Sequence, residues 1–194
     1  MKEIPQKFLY FALNKPYGVL SQFTDAGDRK TLSDIYNFPK EVYPVGRLDM
    51  DSEGLLLLTN DKSLTDHLLN PKHKHEKEYY AQVEGIPDGT ALQKLRSGVV
   101  LEGRKTLPAK VKLIDDPNFA ERIPPIRERK TIPTSWLSIA IVEGRNRQVR
   151  KMTAAVGFPT LRLVRVRIKN IQLGNLGNGM VRELMLNEIE SLKK

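Results

Sequence analysis

The sequence predicts an α+β fold, a mixed and largely antiparallel sheet with flanking helices, and three observations predict it. Segments with strand-type alternation recur along the chain, at KEYYAQVEG, SWLSIAIVEG and TLRLVRVRI. The helix-type segments between them are few, short and scattered. No stretch repeats at a fixed period, which argues against solenoid and propeller architectures.

Taken in order, FLYFALNKPYGVLSQF reads as a strand from about Lys7 to Leu13, a turn at Asn14-Lys15-Pro16, and a second extended piece ending near Phe23. DAGDRKTLSDIYNFP is loop plus a short helix begun at Thr31 or Ser33. GLLLL is a buried strand, and Asn60 or Asp61 after it can cap a helix SLTDHLLN that stops before Pro71. KEYYAQVEG is a strand, TALQKLRSG a short helix ending at Gly98, and AKVKLID another strand. Residues 115 to 135 contain four prolines among many charges and read as a long mobile loop. SWLSIAIVEG is a strand, RNRQVRKMTAAVG a helix closed by Gly157, and TLRLVRVRI a strand that sets Leu161, Leu163, Val164 or Val166, and Ile168 against arginines. The tail ends in a short helix. The whole of 1 to 194 is expected to form one domain, with room for two sub-domains that share one sheet and a central cleft.

Zero cysteines exclude a disulfide framework and thiolate chemistry. Together with an N-terminus that has no apolar signal stretch, they fit a reducing, cytoplasmic compartment. No apolar run is long enough to span a bilayer. The formal charge of +9 favours a polyanionic partner. Between Glu143 and Lys169 there are eight basic residues and one acid, and six of the eight are arginine. Arginine's planar fork pairs bidentately with phosphate and stacks on bases, so RNA becomes the leading partner.

Candidate chemistry centres on VGRLDMDSEGLLLLTND, where Asp49, Asp51 and Glu53 precede the leucines. The spacing is wrong for a calcium loop, and HKH at His73 to His75 in a cysteine-free chain is a weak zinc signature, so no metal is expected. A glycosidase pair would need two carboxylates set across a bond, and a single tryptophan with a strongly basic charge argues against a sugar cleft. One carboxylate acting as nucleophile beside an arginine is the more economical reading.

GRLDMDSEGLLLLTND, with NKPYG before it and KEYYAQVEG, EGRNRQVRKM and LRLVRVRI after it, resembles the RsuA-type ribosomal RNA pseudouridine synthases in order and nearly in spacing. The resemblance covers about Phe8 to Ile189. It implies the pseudouridine synthase fold, here without the S4-type RNA-binding domain that many members carry. By resemblance, Asp49 is the aspartate that attacks a flipped uridine, Tyr79 packs on the target base and serves proton movement, and Arg150 pairs with the aspartate. Leu163 lines the pocket, and Arg47 fills the gap left in the RNA stack. Lys15, Arg145, Arg147, Arg165 and Arg167 are the expected phosphate contacts. The reaction exchanges a C–N bond for a C–C bond without redox change, so no cofactor is expected. The expected partner is large-subunit ribosomal RNA or its assembly precursor, with no membrane, and the acting unit a monomer. A competing reading from another class is a ribosome-assembly module that binds RNA without catalysis.

Overall fold

Four leucines in a row leave a strand no polar face. In the computed structural model, which describes residues 7–126 and 131–194, that strand is covered on both sides. Leu55 and Leu57 pack with Leu64, Leu68 and Leu192, while Leu56 and Leu58 pack with Leu32, Phe38 and Val42. The described elements in chain order are β1 (Tyr10–Lys15), β2 (Tyr43–Pro44), β3 (Glu53–Thr59), α1 (Lys62–Leu69), β4 (Lys77–Glu84), α2 (Gly89–Ser97), β5 (Val100–Leu101), β6 (Arg104–Lys105), β7 (Lys110–Ile114), β8 (Thr134–Ile141), α3 (Gln148–Ala155), β9 (Thr160–Ile168), β10 (Ile171–Gln172), β11 (Val181–Glu183) and α4 (Leu186–Lys193). The main sheet runs β11-β1-β3-β9-β4-β8-β7, with β10 added to β9 and β2 to β3. Of its pairings only β3 with β9 is parallel, so the mixed, largely antiparallel sheet is as expected.

Local signals account for the starts of α1 and α2. The Asp61 carboxylate accepts the Leu64 N–H at 3.0 Å and Asp88 accepts that of Ala91 at 2.7 Å, satisfying donors that a helix's first turn leaves open. Thr31 and Asp34 cap a single 3₁₀ turn over Leu32–Asp34. On α1, Leu64 and Leu68 lie one turn apart and enter the core together. A third cluster, on the other half of the sheet, joins Val83, Leu95, Val111, Leu137, Ile139, Val149 and Met152. Among the described residues no helix is long and apolar enough to cross a membrane.

Three expectations are corrected. The extended piece before Phe23 is a looped segment held by Leu20 N–H to Lys30 O and Leu32 N–H to Gln22 O, and Asn14 and Lys15 belong to β1. In β9 the arginines do not all point outward: Arg162, Leu163, Val164 and Arg165 are buried in succession. The strand is central, between β3 and β4, and its register against β4 shifts between Glu78 and Tyr79 and between Gln82 and Val83, which breaks strict alternation. Arg162 is admitted to the interior by a bidentate pair with Glu53, both bonds 2.9 Å.

The third correction concerns the loop from 115. Its described part is an anchored arm. Phe119 packs on Trp136 and Tyr80 with ring centres 5.8 and 6.1 Å away, and Arg162 donates to Ala120 O at 3.0 Å. Arg122 lies 4.2 Å over the Tyr17 ring, in the NKPYG segment. Residues 127–130 of the loop fall outside the described residues.

Candidate active site

The segment between β2 and β3 is held by backbone bonds at several points. Val45 N–H donates to Leu57 O at 2.8 Å and Gly18 N–H to Met50 O at 2.8 Å. Ser21 Oγ accepts the Leu48 N–H at 3.1 Å and donates to Leu48 O at 2.7 Å. The turn closes with Ser52 N–H to Asp49 O at 3.0 Å. Asp49 therefore sits on a short loop clasped on both sides, the rigid support that a preorganised site needs. Ser21 has no motif signal that would have nominated it for this role.

Asp49 opens into a cleft of about 710 Å³ lined also by Arg47, Ser52, Lys77, Tyr79, Leu163 and Arg165. Lysine and arginine contribute six lining residues, Arg47, Lys77, Arg104, Arg145, Arg147 and Arg165, against the acids Asp49 and Glu143. A cleft with that excess of positive charge draws a polyanion. Tyr79 reaches it because β4 lies beside β9, where Tyr79 is opposite Arg165, and Leu163 forms an apolar wall. Among the described residues the Asp49 carboxylate accepts no hydrogen bond and joins no ion pair, while Arg47 is exposed at the cleft.

Of the expected site residues, Asp49, Tyr79, Leu163, Arg47, Arg145, Arg147 and Arg165 share this cleft, and Arg150, Lys15 and Arg167 do not line it. Arg150 pairs with a different acid from the one expected. Its Nη2 donates to Asp51 O at 2.6 Å, its Nη1 to Thr160 O at 3.2 Å, and its Nε lies 3.5 Å from Asp51 Oδ2. Arg147, at the start of α3, holds the same carboxylate with two bonds of 2.8 and 2.7 Å. Burial pushes the Asp51 carboxyl up, but the Arg147 bonds and the charges of Arg150 and Arg147 outweigh it and hold the group below its ordinary value. Asp51 is thus the structural acid of the loop, tying it to α3, and Glu53 the acid that neutralises Arg162.

Lys15 is not a phosphate contact. It is 0% exposed, and its Nζ donates to Pro16 O and Val19 O at 2.8 and 2.7 Å, which folds the NKPYG segment beneath the Asp49 loop. Burial lowers its pKa to about 7 against the opposing charge of Glu53. Arg165 is not on the surface either. It is 4% exposed, and its Nε donates to Leu55 O at 2.7 Å. Its Nη2 is buried without a hydrogen-bond partner among the described residues, and so is the hydroxyl of Ser52, itself 0% exposed. Arg167 turns to Glu76 and Glu78 at the far end of β9, and Arg145 bonds Glu143, Arg104 O and Lys105 O. Gln148, buried and unremarked in the sequence, fixes that turn by donating to Glu143 at 2.6 Å and accepting the Arg145 N–H at 3.0 Å.

All three histidines of the chain meet beside the cleft. The ring of His67 lies 4.4 Å from that of His73 and 4.7 Å from that of His75, centre to centre. Burial, then the neighbouring His73 and Lys169 charges, lower the pKa of His67; burial, then Lys169, lower that of His75. A base depressed in the folded state stabilises the fold above its unfolded pKa, here near 6.5, and loses that contribution as pH falls through the folded value. The thermal midpoint should therefore begin to drop near pH 6.5, above the carboxylate range, and drop less when His67 and His75 are both glutamine. A midpoint unchanged from pH 7.5 to 5.0 would refute this coupling.

Comparison with known proteins places the chain as a whole. A protein-family model described as RNA pseudouridylate synthase matches residues 9–155. The chain is 57% identical over 173 residues to "Ribosomal large subunit pseudouridine synthase E" of Vibrio parahaemolyticus serotype O3:K6 (strain RIMD 2210633), covering 89% of this chain and 72% of that one. It is 41% identical over 186 residues to "Ribosomal large subunit pseudouridine synthase B" of Bacillus subtilis (strain 168), covering 95% and 71%. A solved structure titled "Crystal structure of pseudouridylate synthase" superposes with a TM-score of 0.80 at 30% identity, over 96% of this chain and 74% of that one.

Proposed function

The chain belongs to the RNA pseudouridylate synthase family, and on that premise we propose that it isomerises one uridine of large-subunit ribosomal RNA to pseudouridine. The observation that carries the reading is a carboxylate, Asp49, with no hydrogen bond or ion pair among the described residues, in a cleft whose charged lining is mostly cationic, next to Tyr79 and Leu163. A concave cleft with a few convergent polar and charged groups is where a ligand is expected to bind.

The proposed reaction follows from these groups. The target uridine leaves the stack, at a cost of a few kcal/mol offset by phosphate contacts and by Arg47 entering the vacated space. The Asp49 carboxylate either bonds C1′ or takes the C2′ proton as the glycosidic bond breaks. Tyr79 packs on the base, and Leu163 keeps water from the sugar. Arg150 acts at one remove, through Asp51 and the loop. Arg145 and Arg147 lie on the phosphate path, and their present partners, including Asp51, hold the guanidinium groups in place for it. The acting unit proposed is a monomer, in the cytoplasm with its ribosomal target.

The test is pseudouridine mapping by carbodiimide modification and primer extension on large-subunit ribosomal RNA, naked and in assembling particles, after incubation with the protein. One new stop is expected, and no stop on any of these RNAs would overturn the reading. Binding should also weaken steeply with salt, by a slope of roughly −0.7 to −0.9 in log–log terms for each phosphate contacted. A flat salt response in a filter-binding titration would remove the proposed phosphate path.

A further inference from the structure

Two buried donors beside the cleft have no hydrogen-bond partner among the described residues. Arg165 Nη2 and Ser52 Oγ are both buried, both without a hydrogen-bond partner among the described residues, and both belong to residues that line the cleft with Asp49. Buried polar groups are rarely left unpaired, because each forfeits its hydration without compensation, and a buried cation forfeits most. Two neighbouring acids are already committed, Asp51 to Arg147 and Arg150 and Glu53 to Arg162, and Asp49, the acid of the cleft left free, bonds neither donor. Nor is Arg165 loosely placed, since its Nε is tied to Leu55 O and its backbone lies opposite Gly54. Ser52 lines the same cleft from the residue before β3, three residues after Asp49.

We infer that Arg165 Nη2 and Ser52 Oγ form a donor pair that binds a carbonyl oxygen of the detached uracil and stabilises it as an anion. The inference rests on the isomerase reading above and adds two catalytic residues to it. When C1′–N1 breaks, the electron pair stays on the uracil, and its charge spreads from the ring nitrogen onto the carbonyl oxygens. Asp49 meanwhile holds C1′ or the C2′ proton. The base turns, C5 bonds to C1′, and Asp49 is returned to a free carboxylate. The C5 proton is lost and N1 gains one, so no oxidant, reductant or further reactant is needed. Through the turn the base is bonded to nothing, and a charged donor aimed at its carbonyl edge both lowers its energy and keeps it from leaving. Asp49 and the donor pair then have complementary tasks, one at the sugar and one at the base.

The test compares single-turnover rates of Ser52→Ala, Arg165→Met and Arg165→Lys on the mapped RNA, with Asp49→Asn as the control for the reading beneath. Rates should fall about 10-fold or more for Ser52→Ala and about 10²–10³-fold for Arg165→Met, with RNA affinity within a few-fold. Thermal stability of Ser52→Ala should be unchanged or higher, because an unsatisfied buried hydroxyl is removed. A fluorine at C5 of the target uridine stabilises the uracil anion by itself, so loss of the 5-fluorouridine nucleoside should be less sensitive to these substitutions than turnover of uridine. Should Arg165→Met fail to fold, Ser52→Ala and Arg165→Lys decide the matter. Wild-type rates in these variants, or an equal defect on both substrates, would overturn the donor pair while an inactive Asp49→Asn left the isomerase reading standing. An active Asp49→Asn would overturn both.

Discussion

Asp49→Asn should abolish pseudouridine formation, by at least about 10³-fold, with RNA affinity within a few-fold and the thermal midpoint close to wild type. The expected size is that of losing a nucleophile or base at the reacting centre. The expected selectivity comes from the surroundings of Asp49. Its side chain makes no ion pair or hydrogen bond among the described residues, so replacing it breaks nothing in the fold, whereas its backbone carbonyl, which closes the turn to Ser52, is retained. Asp51→Asn is the informative contrast, because that carboxylate ties Arg147 and Arg150 to the loop. It should lower stability and slow turnover without eliminating it. Product mapping and melting curves on both variants check the assignment, and an active Asp49→Asn beside an inactive Asp51→Asn would exchange their roles.

Gly54→Ala should be the most damaging single change outside the cleft, costing about 4 kcal/mol or more and lowering the melting temperature by roughly 8–16 °C, with activity lost in parallel. Gly54 has φ +102°, and a Cβ there would collide with Arg165 O and lie 2.7 Å from Arg165 N. Neither neighbour can yield cheaply, because both are backbone. The parallel pairing of β3 with β9 consists of Glu53 opposite Val164 and Gly54 opposite Arg165. Prising it apart would shift Arg165, the Glu53–Arg162 pair and the start of β3, on which Ser52 and the Asp49 loop depend. Gly103→Ala is the control, since Gly103 also has positive φ, +76°, but its Cβ would meet nothing within 4 Å. That change should cost only about 1 kcal/mol. Equal losses in the two variants would mean that the close approach of β3 and β9 is not what Gly54 serves.

What the sequence determined by itself was whatever depends on neighbours along the chain. The caps at Thr31 and Asp61, each one of two candidates along the chain, the helix stop at Gly98 and the buried GLLLL strand rest on local donors, local φ or an unbroken apolar run, and their signals survive in isolation. The order of GRLD, KEYY and RQVR named the family and nominated Asp49, Tyr79 and Leu163, which the fold brings to one cleft. Tertiary structure decided the rest, and above all the direction in which each charge points. Arg165 and Arg167 stand two apart on one strand and look equivalent in TLRLVRVRI, yet one is buried under the cleft and the other pairs with Glu76 and Glu78. Lys15 looked like a free cation and is wholly buried. Arg150 was expected at Asp49 and holds Asp51. Each of these outcomes turns on which carbonyl or carboxylate another strand delivers within hydrogen-bond reach. Bulges and register between distant strands settle that, and neither leaves a trace in local spacing.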